Sequence, residues 1–222
     1  MERIVKESLK IDLHIHSVYS RYKDDYSLVS SNTEENLQVL LDKINDNSLN
    51  VVAITDHDYF SYGLYSKLKS HETEGTLKKV FPGVEFSVGI KADSGELKDI
   101  HVIAIFDDKD QLKVKNIEQI LALKDNKINY NNDDKLFFSE QGFIDVLNKI
   151  GLDVILIAHQ KNSITSRTKQ NNDLNSLGLN QFNELLNCEV FDALEFKSFK
   201  NGMFNELFAK DVNKNYEILR FI

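Results

Sequence analysis

The chain is 222 residues long, 41% hydrophobic and 28% charged, with a formal net charge of −8. That length suits one domain with a substantial core, and no apolar run approaches the ~20 residues of a membrane-spanning helix. The acidic excess argues against broad electrostatic binding to nucleic acid, so any contact with phosphate has to be focused on one site.

The first ten residues mix Glu, Arg and Lys with single apolar residues and lack the apolar centre of a signal peptide. With Cys188 as the one cysteine, no internal disulfide can form, and a reducing, cytoplasmic setting is expected. Ile11-Asp12-Leu13-His14-Ile15-His16 then reads as a strand. Alternate residues of a strand share a face, so His14 and His16 point the same way while Leu13 and Ile15 face a core. Ser31 to Glu34 offers a capping box, and Leu37, Leu40, Leu41 and Ile44 repeat at helical spacing. The apolar run Val51 to Ile54 stops at Thr55-Asp56-His57, and Phe81-Pro82-Gly83-Val84-Glu85 places a carboxylate at the end of a third run. Between Glu85 and Phe106 two strand-like runs flank Ala92-Asp93-Ser94-Gly95-Glu96, which predicts a hairpin returning His101 to the vicinity of Glu85. The polar stretch Asn131 to Lys135 reads as a loop. Phe143, Val146, Leu147 and Ile150 predict another helix, ended by Gly151, and Val154 to Ala158 a strand closed by His159. Lys161 to Asn175 reads as a second polar loop, placed to overhang a site. Phe191 to Leu194 is a further strand candidate ending at Glu195, and Tyr216 to Ile222 another.

Strands alternating with helices imply a largely parallel sheet, and in closed barrels of this kind the active site collects at the carboxyl ends of the strands. A lone histidine beside a strand is more often a hydrogen-bonded structural residue than a ligand. An H-x-H pair followed by T-D-H and a strand-end glutamate shifts that balance towards a metal site. Asp12 and Asp56 precede candidate ligands, and orienting a metal-bound imidazole is the more economical role for each. Glu195 has two readings that stay open, a residue facing the pocket or a charge near its rim. His71 has no apolar strand before it and reads as a surface residue near a helix end, and Cys188 as a small hydrophobe.

The succession D-x-H-x-H at 12–16, T-D-H at 55–57, P-G-V-E at 82–85, H-V at 101–102 and A-H at 158–159 resembles the PHP family, named for polymerase and histidinol phosphatase domains. The resemblance spans roughly Asp12 to Glu195. It implies an α/β fold, a distorted (β/α)7 TIM-like barrel, holding two or three divalent ions. His14, His16 and Glu85 would bind one ion, Glu85 would bridge to a second held by His101 and His159, and His57 would serve a third. Where the family carries a Ser-Asp-Gly turn with a further ligand, this chain reads Ser20 to Asp25, so that Asp24 or Asp25 would substitute only with a longer loop, and a solvated loop acid explains Asp24 as well. The family's A-H-P becomes Ala158-His159-Gln160, which keeps the histidine.

The family's final G-S-D-x-H motif is absent from the 222 residues. The resemblance therefore implies a single PHP domain over residues 1–222, incomplete at its C-terminus and forming the N-terminal part of a longer protein. A C-terminal domain of ATPase or polymerase type is one such architecture. The activity implied is hydrolysis of a phosphomonoester or phosphodiester by metal-bound hydroxide. Its substrate would be a phosphorylated small molecule or a nucleic-acid phosphoester. The alternative is a non-catalytic metal-binding module with a regulatory or interaction role. Amidohydrolases also begin with H-x-H on a first strand, but T-D-H and P-G-V-E favour the PHP reading. Imidazoles with a bridging carboxylate suit Zn, Mn or Fe better than Mg or Ca. Neither G-x-S-x-G nor a phosphate-cradling G-x-x-x-x-G-K occurs.

Overall fold

The computed structural model describes residues 8–20, 33–123, 127–129, 136–159, 174–178, 180–181, 184–185, 190–195 and 219–220. In chain order the elements are β1 (Ile11–Ile15), α1 (Thr33–Asp46), β2 (Val51–Ile54), α2 (Tyr62–Ser70), β3 (Lys79–Lys91), β4 (Leu97–Phe106) and α3 (Gln111–Ala122). They continue with β5 (Lys127–Asn129), β6 (Leu136–Ser139), α4 (Glu140–Ile150), β7 (Val154–Ala158), β8 (Ala193–Leu194) and β9 (Leu219–Arg220).

Each helix has a visible local cause. Leu37, Leu41 and Ile44 of α1 are buried along one stripe, with Leu40 packed beside them. Ser61, Asp110 and Ser139 cap α2, α3 and α4, their side-chain oxygens accepting backbone N–H groups of the first turn. Gly151 ends α4 in the left-handed conformation at φ 61°, where a side chain would be strained.

The strands form one sheet in the order β1-β2-β3-β4-β7-β8-β9, with β6 pairing to β3 and β5 to β6 as a side branch. The pairs β1–β2, β2–β3, β7–β8 and β8–β9 are parallel, whereas β4 is antiparallel to both β3 and β7. The predicted hairpin is therefore present, and it interrupts the parallel pairing along the main path of the sheet, while the side-branch pair β5–β6 is also antiparallel. It also extends β3 well past Glu85: Lys79 to Pro82 pair with β2, and Gly83 to Lys91 pair with β4. Glu85 thus follows the parallel-paired part of its strand while lying inside a longer one.

The sheet curls into a half-barrel. Its concave face carries a small apolar layer of Ala53, Ile103, Ile105, Ile157 and Ala193, with Leu13 and Phe81 packed against it. The convex face meets the helices in a much larger core that includes Val52, Val80, Phe86, Val102, Phe106, Ile117 and Phe143. Leu13 and Ile15 separate here, Leu13 joining the concave layer and Ile15 the helix-side core. Asp12 pairs with Val52 and Ile15 with Ile54, so β1 carries one residue more than its partner between those points. Such a bulge re-aims the side chains beside it. The Oδ1 of Asp12 accepts the His14 backbone N–H at 3.1 Å within this irregularity.

Candidate metal centre

Above the concave apolar layer, the same inward positions turn from aliphatic to metal-ligating side chains. On β4, His101 precedes Ile103 and Ile105 at the spacing of one face, and Ser87 of β3 lies opposite His101. Because β4 runs antiparallel to β3, the first half of β4 reaches the level where the parallel strands end. The His159 backbone N–H donates to the His101 carbonyl at 3.2 Å, and that of Glu195 to the Ala158 carbonyl at 2.9 Å, which set both at this level. His57 bridges to Glu85 beyond the end of β2.

Five imidazoles form a closed circuit. Ring centroids are 5.0 Å apart for His14 and His16, 4.5 Å for His16 and His57, and 4.9 Å for His57 and His101. They are 5.6 Å apart for His101 and His159, and 5.8 Å for His159 and His14. Glu85, 1% exposed, stands within reach of four of them. Its Oε2 lies 3.1 Å from His14 Nε2, 2.9 Å from His16 Nε2 and 3.1 Å from His57 Nδ1. Its Oε1 takes the other side, 2.8 Å from His101 Nδ1. Burial by itself would raise the Glu85 pKa, but hydrogen bonds with His101, His14 and His16 hold it well below the usual carboxylate range.

Three sets of donor atoms, each within 4.8 Å of one another, could hold an ion: His14, His16 and Glu85; His57, Glu85 and His101; and His14, His159 and Glu195. Imidazole and carboxylate are the donors that borderline divalent metals take, and the residues fit such ions by chemistry and convergence. The grouping has its own pattern. The family resemblance joins His101 with His159, whereas the compact sets pair His101 with His57, and His159 with His14 and Glu195.

The remaining predicted residues occupy distinct places. Asp12 bonds the backbone of His14 rather than a ring nitrogen. Asp56, 2% exposed, accepts both the backbone N–H and the hydroxyl of Ser17, each at 2.6 Å, tying the segment after β1 to the end of β2. Burial pushes the Asp56 pKa up despite those two hydrogen bonds. Asp24 and Asp25 lie outside the described residues. His71 caps the end of α2 and bonds Glu74 at 2.6 Å, away from the circuit.

Two residues gain weight from the geometry. Ser20 is buried, its Oγ 3.0 Å from His16 Nδ1 and 3.5 Å from the His57 backbone nitrogen. Its position four residues after His16 was the available signal. Glu195 places Oε1 2.9 Å from His14 Nδ1 and Oε2 3.8 Å from His159 Nε2. Burial disfavours the His14 cation, yet its hydrogen bonds to Glu195 and Glu85 prevail and raise its pKa from 6.5 to about 9. Beside the site, Asp58 accepts the Ser87 backbone N–H at 2.9 Å and lies 3.9 Å from Lys127 Nζ.

No protein-family model matches the chain, and no curated protein matches it in sequence. Among solved structures it is similar to a protein of Bifidobacterium adolescentis described as a "putative metal-dependent phosphoesterase". The two share 13% identity over 93% of this chain and 85% of that one, with a TM-score of 0.48. At that level the side chains, and not the likeness, carry the chemistry. Among the described residues, no helix is long and apolar enough to cross a membrane.

Proposed function

We propose that the chain is a metal-dependent phosphoester hydrolase. In this reading His14, His16, His57, Glu85, His101 and His159 hold two or three divalent ions, drawn from Zn, Mn and Fe. The observation that carries it is the division of one buried carboxylate: Glu85 Oε2 faces His14, His16 and His57, while Oε1 faces His101. A carboxylate whose two oxygens face different imidazoles, and which belongs to both the His14/His16 and the His57/His101 donor sets, suits two neighbouring ions better than one. Such ions, when bound, supply Lewis-acid activation of water and neutralisation of phosphoryl charge.

The chain's own residues supply position and access. Glu85 keeps its charge in a buried place because the surrounding histidines favour it. Asp12 holds the His14 backbone at the bulge, and Asp56 holds the Ser17 segment that carries His16. His16 and Glu195, with side chains 20% and 22% exposed, form the open side from which a phosphorylated small molecule or a nucleic-acid phosphoester would enter.

The test is metal content by mass spectrometry on the purified chain, with hydrolysis of p-nitrophenyl phosphate and bis-p-nitrophenyl phosphate assayed on the same samples. A His14→Ala/His16→Ala variant, checked for folding by circular dichroism, is the control. Bound metal and turnover that vanish together in the variant support the proposal. Metal without turnover supports a non-catalytic metal-binding module instead. A folded wild-type chain that takes up no metal overturns both.

A further inference from the structure

We infer that Glu195 is the positioning carboxylate of His14, an assignment that rests on the metal-centre reading above. His14 presents its two ring nitrogens to different neighbours. Nε2 lies 2.9 Å from His16 Nε2 and 3.1 Å from Glu85 Oε2, inside the circuit. Nδ1 lies 2.9 Å from Glu195 Oε1, on the circuit's outer side. A neutral imidazole has one nitrogen with a lone pair and one with a proton. If Nε2 offers its lone pair to an ion beside Glu85, the proton must sit on Nδ1, and Glu195 is the acceptor placed to receive it. That hydrogen bond fixes the tautomer, sets the rotation of the ring and makes Nε2 a stronger donor.

Asp12 and Asp56, the carboxylates that precede His14 and His57 in sequence, do not reach the His14 ring. Asp12 bonds the His14 backbone, and Asp56 bonds Ser17. Glu195 does so from the far end of β8, its backbone held to Ala158 of β7. Its second oxygen, 3.8 Å from His159 Nε2, is beyond hydrogen-bond distance, so the contact with His14 is the closer of the two. His14, His159 and Glu195 also form a set able to hold an ion. For His14 to serve that ion through Nδ1 and another through Nε2, its ring would have to lose both protons. The ordinary neutral ring supports the positioning role instead.

The deciding experiment measures zinc stoichiometry and affinity, by competition with a chromogenic chelator, for the wild type and for Glu195→Ala and Glu195→Gln. The expected result is an unchanged number of ions, with binding about 10–100-fold weaker in Glu195→Ala. Glu195→Gln, whose amide oxygen still accepts the Nδ1 proton, should lose less. In a His14→Ala background, Glu195→Ala should change affinity about twofold or less, since the two residues act as one unit. In the zinc-loaded wild type, ¹⁵N NMR should show the His14 proton on Nδ1, and that signal should be lost to solvent exchange in Glu195→Ala. Loss of one whole ion in both variants would make Glu195 a ligand and overturn the assignment. Unchanged zinc affinity in both variants overturns it too and leaves the metal centre standing. Absence of zinc from the folded wild type removes the metal centre and this assignment together. If Glu195→Ala does not fold, Glu195→Gln decides, with weakened binding at full stoichiometry as the supporting result.

Discussion

A Cβ on Gly83 would lie 2.7 Å from Thr55 Cγ2 and 3.2 Å from both Ile105 Cδ1 and the Ile54 carbonyl oxygen. Thr55 is fully buried and stiff at χ1, so neither it nor the backbone behind it can yield cheaply. Gly83→Ala should therefore cost about 1–3 kcal/mol of stability, read as a lower midpoint in urea. It should also weaken metal binding, because Thr55 and Gly83 are two residues from His57 and Glu85 respectively. The glycine was visible in the P-G-V-E motif, but its reason was not, since Thr55 follows β2 and Ile105 lies on β4. Asp58 is a second case. It adopts φ 49°, a conformation asparagine tolerates, and burial pushes its pKa up to about 6 from 3.8 despite Lys127 and the Ser87 N–H. Since the folded state holds this proton more tightly than the unfolded chain, its contribution to stability is present below pH 3.8 and is lost as pH rises through about 6. Asp58→Asn cannot titrate and keeps an oxygen for Ser87. Its melting temperature relative to wild type should rise between about pH 4 and 6 and then level off; a flat difference across that range would refute the assignment of Asp58 as a buried, destabilised carboxylate.

Between elements, Asp108 acts as a clamp. Its Oδ2 accepts from Lys69 near the end of α2 and from Lys79 at the start of β3, joining both to the segment after β4. Burial works against its charge, but the two ammonium groups prevail and hold its pKa below 3.8. The depressed pKa makes this contribution present above the unfolded value and lost as pH falls below it. The lysine side chains are 25% and 33% exposed, so solvent discounts the pairs, and Asp108→Ala should cost only about 1 kcal/mol at pH 7. Comparing thermal melts at pH 7 and pH 3 checks this, with the difference between variant and wild type shrinking at the lower pH. At this scale the sequence was legible in the period of α1, in the period and the Gly151 end of α4, and in the β3–β4 hairpin, while the capping box read at Ser31 begins outside the described residues. The run of β3 after Glu85 was legible as the first arm of that hairpin, although Ser87 and Gly89 interrupt its apolar residues. Both lie on the face shared with Glu85, where polar and small residues belong. The short α2 has only Tyr65 and Leu68 fully buried and little periodicity to detect. The bulge in β1 left no signal beyond Asp12, whose carboxylate caps it.

Across the whole molecule, the candidate centre draws on β1, β3 and β4 and on the segments after β1, β2, β7 and β8. His14 and Glu195 are 181 positions apart in sequence and meet because the sheet curls. Sequence order could nominate the histidines but could not say which of them stand together, since the grouping depends on that curvature. A centre built this way should couple metal binding to global stability. An ion held by the folded chain at about 100 times its Kd adds about 2.7 kcal/mol, so adding zinc to chelator-treated protein should raise Tm in one cooperative transition. The pH dependence has a definite sign. Without metal, His14 binds its proton more tightly in the folded state, with pKa about 9 against 6.5, so this contribution is full below pH 6.5 and disappears as pH rises through about 9. With metal, His14 Nε2 must give up its proton while Nδ1 keeps the one shared with Glu195, and binding strengthens as pH rises. The zinc-induced increase in Tm should therefore widen steadily from pH 6 to pH 9, the apoprotein becoming less stable while the loaded form gains. Calorimetric scans with and without zinc across that range test it, and an increment that stays constant or narrows would show that protons and metal do not compete at His14.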